Sequence, residues 1–176
     1  MSLDLSIKFS NVVDSHDLLN GAINNLRRIL NINVLFEIKE KSHSNPLFDE
    51  NFLIILDQSS YIFFVVGFKE DIVEGTSVFV PRVEGFEDPE QEGWWFIFTI
   101  RAAIESPMKF ALFFALSITF AESQQQLIVE DSLLIFGKDK IDYNELLNLI
   151  KNNHTHSNIN DALDSFYYKL KSFHLV

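Results

Sequence analysis

Residues 106–123 read SPMKFALFFALSITFAES, and their spacing decides the fold. Ser106 is a residue type that caps a helix, and Pro107 sits where the missing N–H of a first turn costs nothing. From Phe110 to Phe120 the stretch is apolar nearly all round: Phe110, Ala111, Leu112, Phe113, Phe114, Ala115, Leu116, Ile118 and Phe120 leave no polar face. A helix of that kind must be covered on several sides. It is too short to span a bilayer comfortably, and Lys109 interrupts the apolar run from Met108 to Ala121. The spacing therefore predicts a central helix, Phe110 to Glu122, buried against a sheet.

The flanks supply that sheet. Upstream, Trp94 to Arg101 is a strong strand. At the other end of the chain, Leu3, Leu5, Ile7 and Phe9 alternate with Asp4, Ser6 and Lys8, a period of two that describes one buried and one wet face. Ile32, Val34, Phe36 and Ile38 alternate likewise. Phe52 to Leu56 and Tyr61 to Phe68 are nearly continuous apolar runs separated by the turn-like Asp57-Gln58-Ser59-Ser60, predicting a hairpin at the sheet centre. Ile72 to Val80 is a weaker strand ending at Pro81, and Leu127 to Glu130 and Leu133 to Phe136 are short ones. Successive strands with short connections point to a mainly antiparallel sheet of about six strands.

Three further helices complete an α+β pattern. In the first, Leu18, Leu19, Ala22, Ile23, Leu26, Ile29 and Leu30 recur at helical spacing; Asp14 or Ser15 caps it, and Asp17, Arg27 and Arg28 suit its dipole. Gly21 inside it costs about 1 kcal/mol against Ala, so close packing on a neighbour is expected there. Asp142 to Lys151 is the second, with Asp142 and Glu145 at capping-box spacing. Asn160 to Phe173 is the third, amphipathic through Ala162, Leu163, Phe166, Tyr167, Leu170 and Phe173. The polar link Asn152 to Asn158 reads as a loop within one domain spanning residues 1–176.

Composition bounds the chemistry. Hydrophobic residues make up 47% of the 176, with 18 Phe, far too much apolar surface for a disordered chain. Cysteine is absent, which removes disulfides, thiol nucleophiles and thiolate metal sites. With 25 acidic and 14 basic residues the net charge is -11, a field that opposes nucleic acid and anionic membranes and favours a basic partner. The plainer meaning of that charge is solubility for a Phe-rich chain. Met1-Ser2-Leu3-Asp4-Leu5 lacks the basic and apolar regions of a secretory signal, so the expected location is cytoplasmic.

Catalytic signatures are weak. His154-Thr155-His156 is the one cluster suggestive of metal, but it lies in a polar loop and lacks a third ligand. Asp14-Ser15-His16-Asp17 holds the residue types of a nucleophile and base, yet adjacent residues do not assemble a triad, and helix capping accounts for them. The six glycines form no phosphate-cradling loop. Paired acids at Glu130-Asp131 define no cleft. The expectation is a chain without metal or cofactor, more a binder than an enzyme.

The binding candidate is residues 84–95, EGFEDPEQEGWW. Glu84, Glu87, Asp88, Glu90 and Glu92 are bracketed by Phe86 and by Trp94 and Trp95. Gly85, Pro89 and Gly93 make it a loop that runs into a strand, where successive indoles point to opposite faces. One enters the core; the other stays near the surface, an aromatic anchor ringed by carboxylates that suits a basic protein. The competing reading has both indoles covered and the loop merely solvated.

The stretch from Trp94 to Phe136 resembles small bacterial immunity proteins of polymorphic toxin systems. It has a strand ending in a short turn at Ile100 to Ser106, an alanine-containing helix from Phe110 to Glu122, and a strand pair around Val129-Glu130-Asp131-Ser132. The resemblance implies a cytoplasmic α+β protein that neutralises a cognate toxin by tight binding, a basic toxin such as a nuclease on grounds of charge. It carries over no binding residue, and Gln124-Gln125-Gln126 stands where glycines are more usual. Two other readings stay open: a small-molecule-binding protein or enzyme with a pocket between sheet and Phe-rich helix, and a homo-oligomer using Tyr167, Tyr168 and Phe173 of the C-terminal helix.

Overall fold

A computed structural model describes residues 2–9, 13–32, 53–54, 63–68, 71–80, 93–101, 106–130 and 136–175, with the strands at 53–54, 63–68 and 71–80 followed as backbone. In chain order the elements are β1 (Ser2–Phe9), β2 (Val13–Asp14), α1 (Ser15–Leu30), β3 (Leu53–Ile54), β4 (Phe63–Phe68), β5 (Asp71–Val80), β6 (Gly93–Arg101), α2 (Pro107–Gln124), β7 (Ile128–Glu130), β8 (Lys140–Ile141), α3 (Tyr143–Ile150) and α4 (Ile159–Ser172). The fold is α+β, with an antiparallel sheet packed by helices, as the periodicities predict.

The sheet runs β4-β5-β6-β1-β7-β8, its first four strands long and its last two only three and two residues. β1 lies antiparallel to β6, with Leu3 opposite Ile100, Leu5 opposite Phe98, Ile7 opposite Phe96 and Phe9 opposite Trp94. These eight point to one face, where all but Trp94 are buried. The expected hairpin at the sheet centre is corrected. β4 lies at an edge among the described strands, and Leu53–Ile54 pair with Val13–Asp14 instead of with β4. An apolar run reports that a strand is covered, not which strand lies beside it. Most of the strand expected from Ile32 to Ile38, and that from Leu133 to Phe136, lie outside the described residues.

α2 is the helix that packs on the sheet, against β1, β5, β6 and β7, and α1, α3 and α4 pack on its other sides. That arrangement explains its lack of a polar face. Every residue from Phe110 to Ala121 is buried. Phe120 anchors it to the sheet, with ring centroids 4.8 Å from Phe96, 5.6 Å from Phe9 and 5.9 Å from Phe98. Its hydroxyls are satisfied internally, Ser117 Oγ donating to the Phe113 carbonyl at 2.8 Å and Thr119 Oγ1 to the Ala115 carbonyl at 2.7 Å.

Local chemistry sets the helix ends. Ser106 Oγ accepts from the Lys109 N–H at 3.1 Å, as its type and place predict. At the other end Gln125 takes the left-handed conformation (φ 54), and Gln126 N donates to the Ala121 carbonyl, closing a Schellman-type turn with glutamine where glycine is the usual occupant. Asp142 caps α3 by accepting from Asn144 N at 2.8 Å and Glu145 N at 3.3 Å. Glu145 does not complete the box; its carboxylate pairs with Lys138 at 2.6 Å. The side chains of Asp14 and Ser15 lie outside the described residues.

Gly21 meets the expectation of close packing. A Cβ there would overlap Thr119 Cγ2, and one turn on, buried Asn25 donates to Thr119 Oγ1 at 2.9 Å. Helix propensity alone would make Gly21→Ala stabilising by about 1 kcal/mol. The overlap reverses the sign: a loss of about 1–3 kcal/mol is expected in urea unfolding. A more stable variant would mean that α1 and α2 stand further apart than this seam requires.

Candidate interaction face

The alternation of β6 separates its two tryptophans. Trp94 shares the face of Phe96, Phe98 and Ile100 and packs against the core, its ring centroid 6.4 Å from that of Phe9. Trp95 shares the opposite face with Ile97, Thr99 and Arg101. Trp95 and Ile97 are half-buried; Thr99 and Arg101 are exposed. The indoles thus divide between core and outer face, as the strand pattern predicts.

Strand pairing brings unforeseen neighbours to Trp95. Residues directly opposite share a face, so Lys8 lies beside Trp95, Ser6 beside Ile97, Asp4 beside Thr99 and Ser2 beside Arg101. On the other flank Val78 is opposite Trp95 and Thr76 opposite Ile97. Gly93 opens this row with φ 128, a left-handed value suited to glycine, and a Cβ there would lie 3.2 Å from Lys8 Cε. The lysine stem therefore runs past Gly93 next to Trp95, an apolar stem with a charged tip. Toward the far end of the row, Asp4 Oδ1 is shielded from solvent and has no hydrogen-bond partner among the described residues. The polar positions of β1 read as a wet face, but Ser6 is buried and Ser2, Asp4 and Lys8 are half-buried, and nothing local in the sequence indicates that this face adjoins Trp95.

Glu84, Phe86, Glu87, Asp88, Glu90 and Glu92 lie outside the described residues; chain continuity alone sets them ahead of Gly93 and Trp95. Asp131 and the side chains of Glu130, Asp14, Ser15 and His16 lie outside them too.

The histidine loop serves another purpose. His154 is exposed, while His156 is half-buried and its backbone bridges Ile32, with its N–H donating to the Asn31 carbonyl at 3.0 Å. Among the described residues no group of three or more His, Asp or Glu could hold a metal ion. Beside the loop, Lys169 Nζ donates to the Lys151 carbonyl at the end of α3 and to Asn153 Oδ1 at 3.4 Å. Burial, and then the charge of Lys151, hold its amine below the ordinary lysine range. Its bonds cap a helix end.

No helix of the described residues is long and apolar enough to cross a membrane. Comparison with known protein families, with curated proteins and with solved structures finds no match to this chain.

Proposed function

We propose that this chain is a non-enzymatic protein-binding domain of the immunity type, acting in the cytoplasm by direct occupation of a basic toxin. The contact surface in this reading is the outer face of the sheet around Trp95, continued by the acidic segment Glu84 to Glu92. The observation that carries it is the placement of Trp95: a large aromatic, half-buried, on the sheet face opposite the helices and three residues on from Glu92, where the acidic segment ends. An aromatic that follows a run of acids in the chain suits a partner that presents arginine or lysine. The net charge of -11 supports the same choice by steering a cationic protein inward. A pocket between sheet and α2 has less support, because the rings of Phe9, Phe96, Phe98 and Phe120 fill that interface.

The test is recovery of a partner from the native host with the tagged protein, in parallel with a Glu87→Ala/Asp88→Ala/Trp95→Ala variant whose fold is checked by circular dichroism. The parent is expected to retain a stoichiometric basic protein and to protect cells that express it. Hot-spot loss of about 2 kcal/mol or more weakens the variant by roughly 30-fold or greater. Equal recovery by both forms would remove the interface from this face. Absence of any partner, together with absence of protection, would end the immunity reading.

A further inference from the structure

Helix α4 carries a second surface, remote from the sheet. Ala162, Phe166 and Leu170 are buried on its inner side. Its outer stripe is Asp161, Asp164, Tyr168 and Lys171, spaced by three, four and three residues, and all four are exposed. That spacing keeps all four on one face of the helix. Tyr168 is 70% exposed, more than any other large hydrophobic among the described residues. Tyr167 stands against it with ring centroids 6.2 Å apart, and the Lys171 ammonium lies 4.6 Å from the first ring centroid and 5.7 Å from the second.

The charges of this stripe are polarised along the helix: acid at its start, aromatic in the middle, base at its end. Asp164 and Lys171 are two turns apart, roughly 10 Å along one axis, too far to neutralise each other within the helix. Among the described residues neither has an ion-pair partner. Turned end for end, a second copy of the stripe offers Lys171 to Asp161 and Asp164 and receives the same in return, with the tyrosines meeting near the two-fold axis. Such a patch is self-complementary, as a two-fold interface requires.

We infer that α4 is a homodimerisation surface, its occupant a second copy of this chain docked antiparallel through Asp164, Tyr168 and Lys171. The inference stands apart from the immunity reading. α2 packs between α4 and the sheet, so a dimer joined through α4 does not use the Trp95 face. One pair of helices about 20 Å long makes a small contact. The expected dissociation constant is correspondingly weak, on the order of 100 µM. At physiological salt the screening length of about 8 Å mutes the repulsion between two net-acidic bodies while leaving contacts within the stripe in reach.

Sedimentation equilibrium of the full chain, from micromolar to millimolar concentration at physiological salt, tests this directly. The parent is expected to pass from monomer to dimer. Asp164→Lys sets base against base across the axis, and Lys171→Asp sets acid against acid; each variant should self-associate at least tenfold more weakly. An equimolar mixture of the two restores opposite charges at both ends and should form a heterodimer at least as tight as the parent. A parent that stays monomeric throughout would overturn the inference. So would variants that dimerise like the parent, or a mixture that fails to recover association while circular dichroism shows both variants folded. None of these outcomes reads the toxin interaction, whose own test is partner recovery and protection.

Discussion

Phe120→Ala is expected to lower the unfolding free energy by about 3–5 kcal/mol, the usual cost of removing a fully buried ring and leaving a cavity. Phe120 is 0% exposed and is the point at which α2 touches both central strands through Phe9, Phe96 and Phe98. Alanine is a strong helix former, so the loss arises from packing and not from helix propensity. For a chain of this size each kcal/mol moves the melting temperature by roughly 2–4 °C, which puts the shift near 6–20 °C. Urea unfolding should show a lower midpoint with an unchanged slope. A loss below about 1 kcal/mol would show that the layer between α2 and the sheet is looser than these ring distances imply.

Asn152→Ala is expected to cost about 2–4 kcal/mol although the residue lies in a loop, since it strips the donors from two buried carbonyls. Asn152 is 2% exposed, and its Nδ2 donates to the Leu30 carbonyl at 3.0 Å and the Ala162 carbonyl at 2.8 Å. Its backbone N–H reaches the Ile29 carbonyl at 2.8 Å, and Asn31 donates to its own carbonyl at 3.2 Å. One side chain thus ties the end of α1 to the first turn of α4. Asn152→Asp separates this role from simple bulk. A carboxylate facing two carbonyl oxygens is destabilised, so burial raises its folded-state pKa above the unfolded value. The protonated form tolerates the site, and stability is lost as pH rises through and above the unfolded carboxylate range. The aspartate variant should therefore be weaker than the alanine variant at neutral pH and recover toward pH 4; a pH-independent difference between the two would contradict the assignment.

Asn152 also shows where reading the chain stops. It opens a run of polar residues, Asn152 to Asn158, whose composition is that of a solvated loop, and nothing nearby distinguishes it from exposed Asn153. Its burial is tertiary, created by two helix ends arriving from distant parts of the chain. By contrast α2 was legible in full: an all-round apolar helix has no stable place except between layers, and Ser106 and Pro107 mark its start by local chemistry. Gly21 was legible in kind, as a close approach, though not in partner. Strand order was not. Alternation shows which face of β1 and β6 is buried, but pairing is decided by long-range packing, so the apolar runs from Phe52 to Phe68 suggested a central hairpin that the strand pairings do not contain. The same gap limited the candidate face. That Trp94 and Trp95 diverge follows from pleat geometry; that Lys8 stands beside Trp95 follows only from the adjacency of β1 and β6.

That adjacency has a temporal consequence. β1 leaves the ribosome well before its partners β6 and β7, which are drawn from much later in the chain. Phe9 must wait for Trp94, and Leu5 for Phe98, before either gains a cross-strand neighbour. Contacts of such long sequence separation slow folding, since loop closure precedes any gain from pairing. During that interval Leu3, Leu5, Ile7 and Phe9 form a naked apolar strand, open to pairing with other nascent chains. The yield of native protein should thus depend on expression rate and on chaperone supply more than the finished stability would suggest.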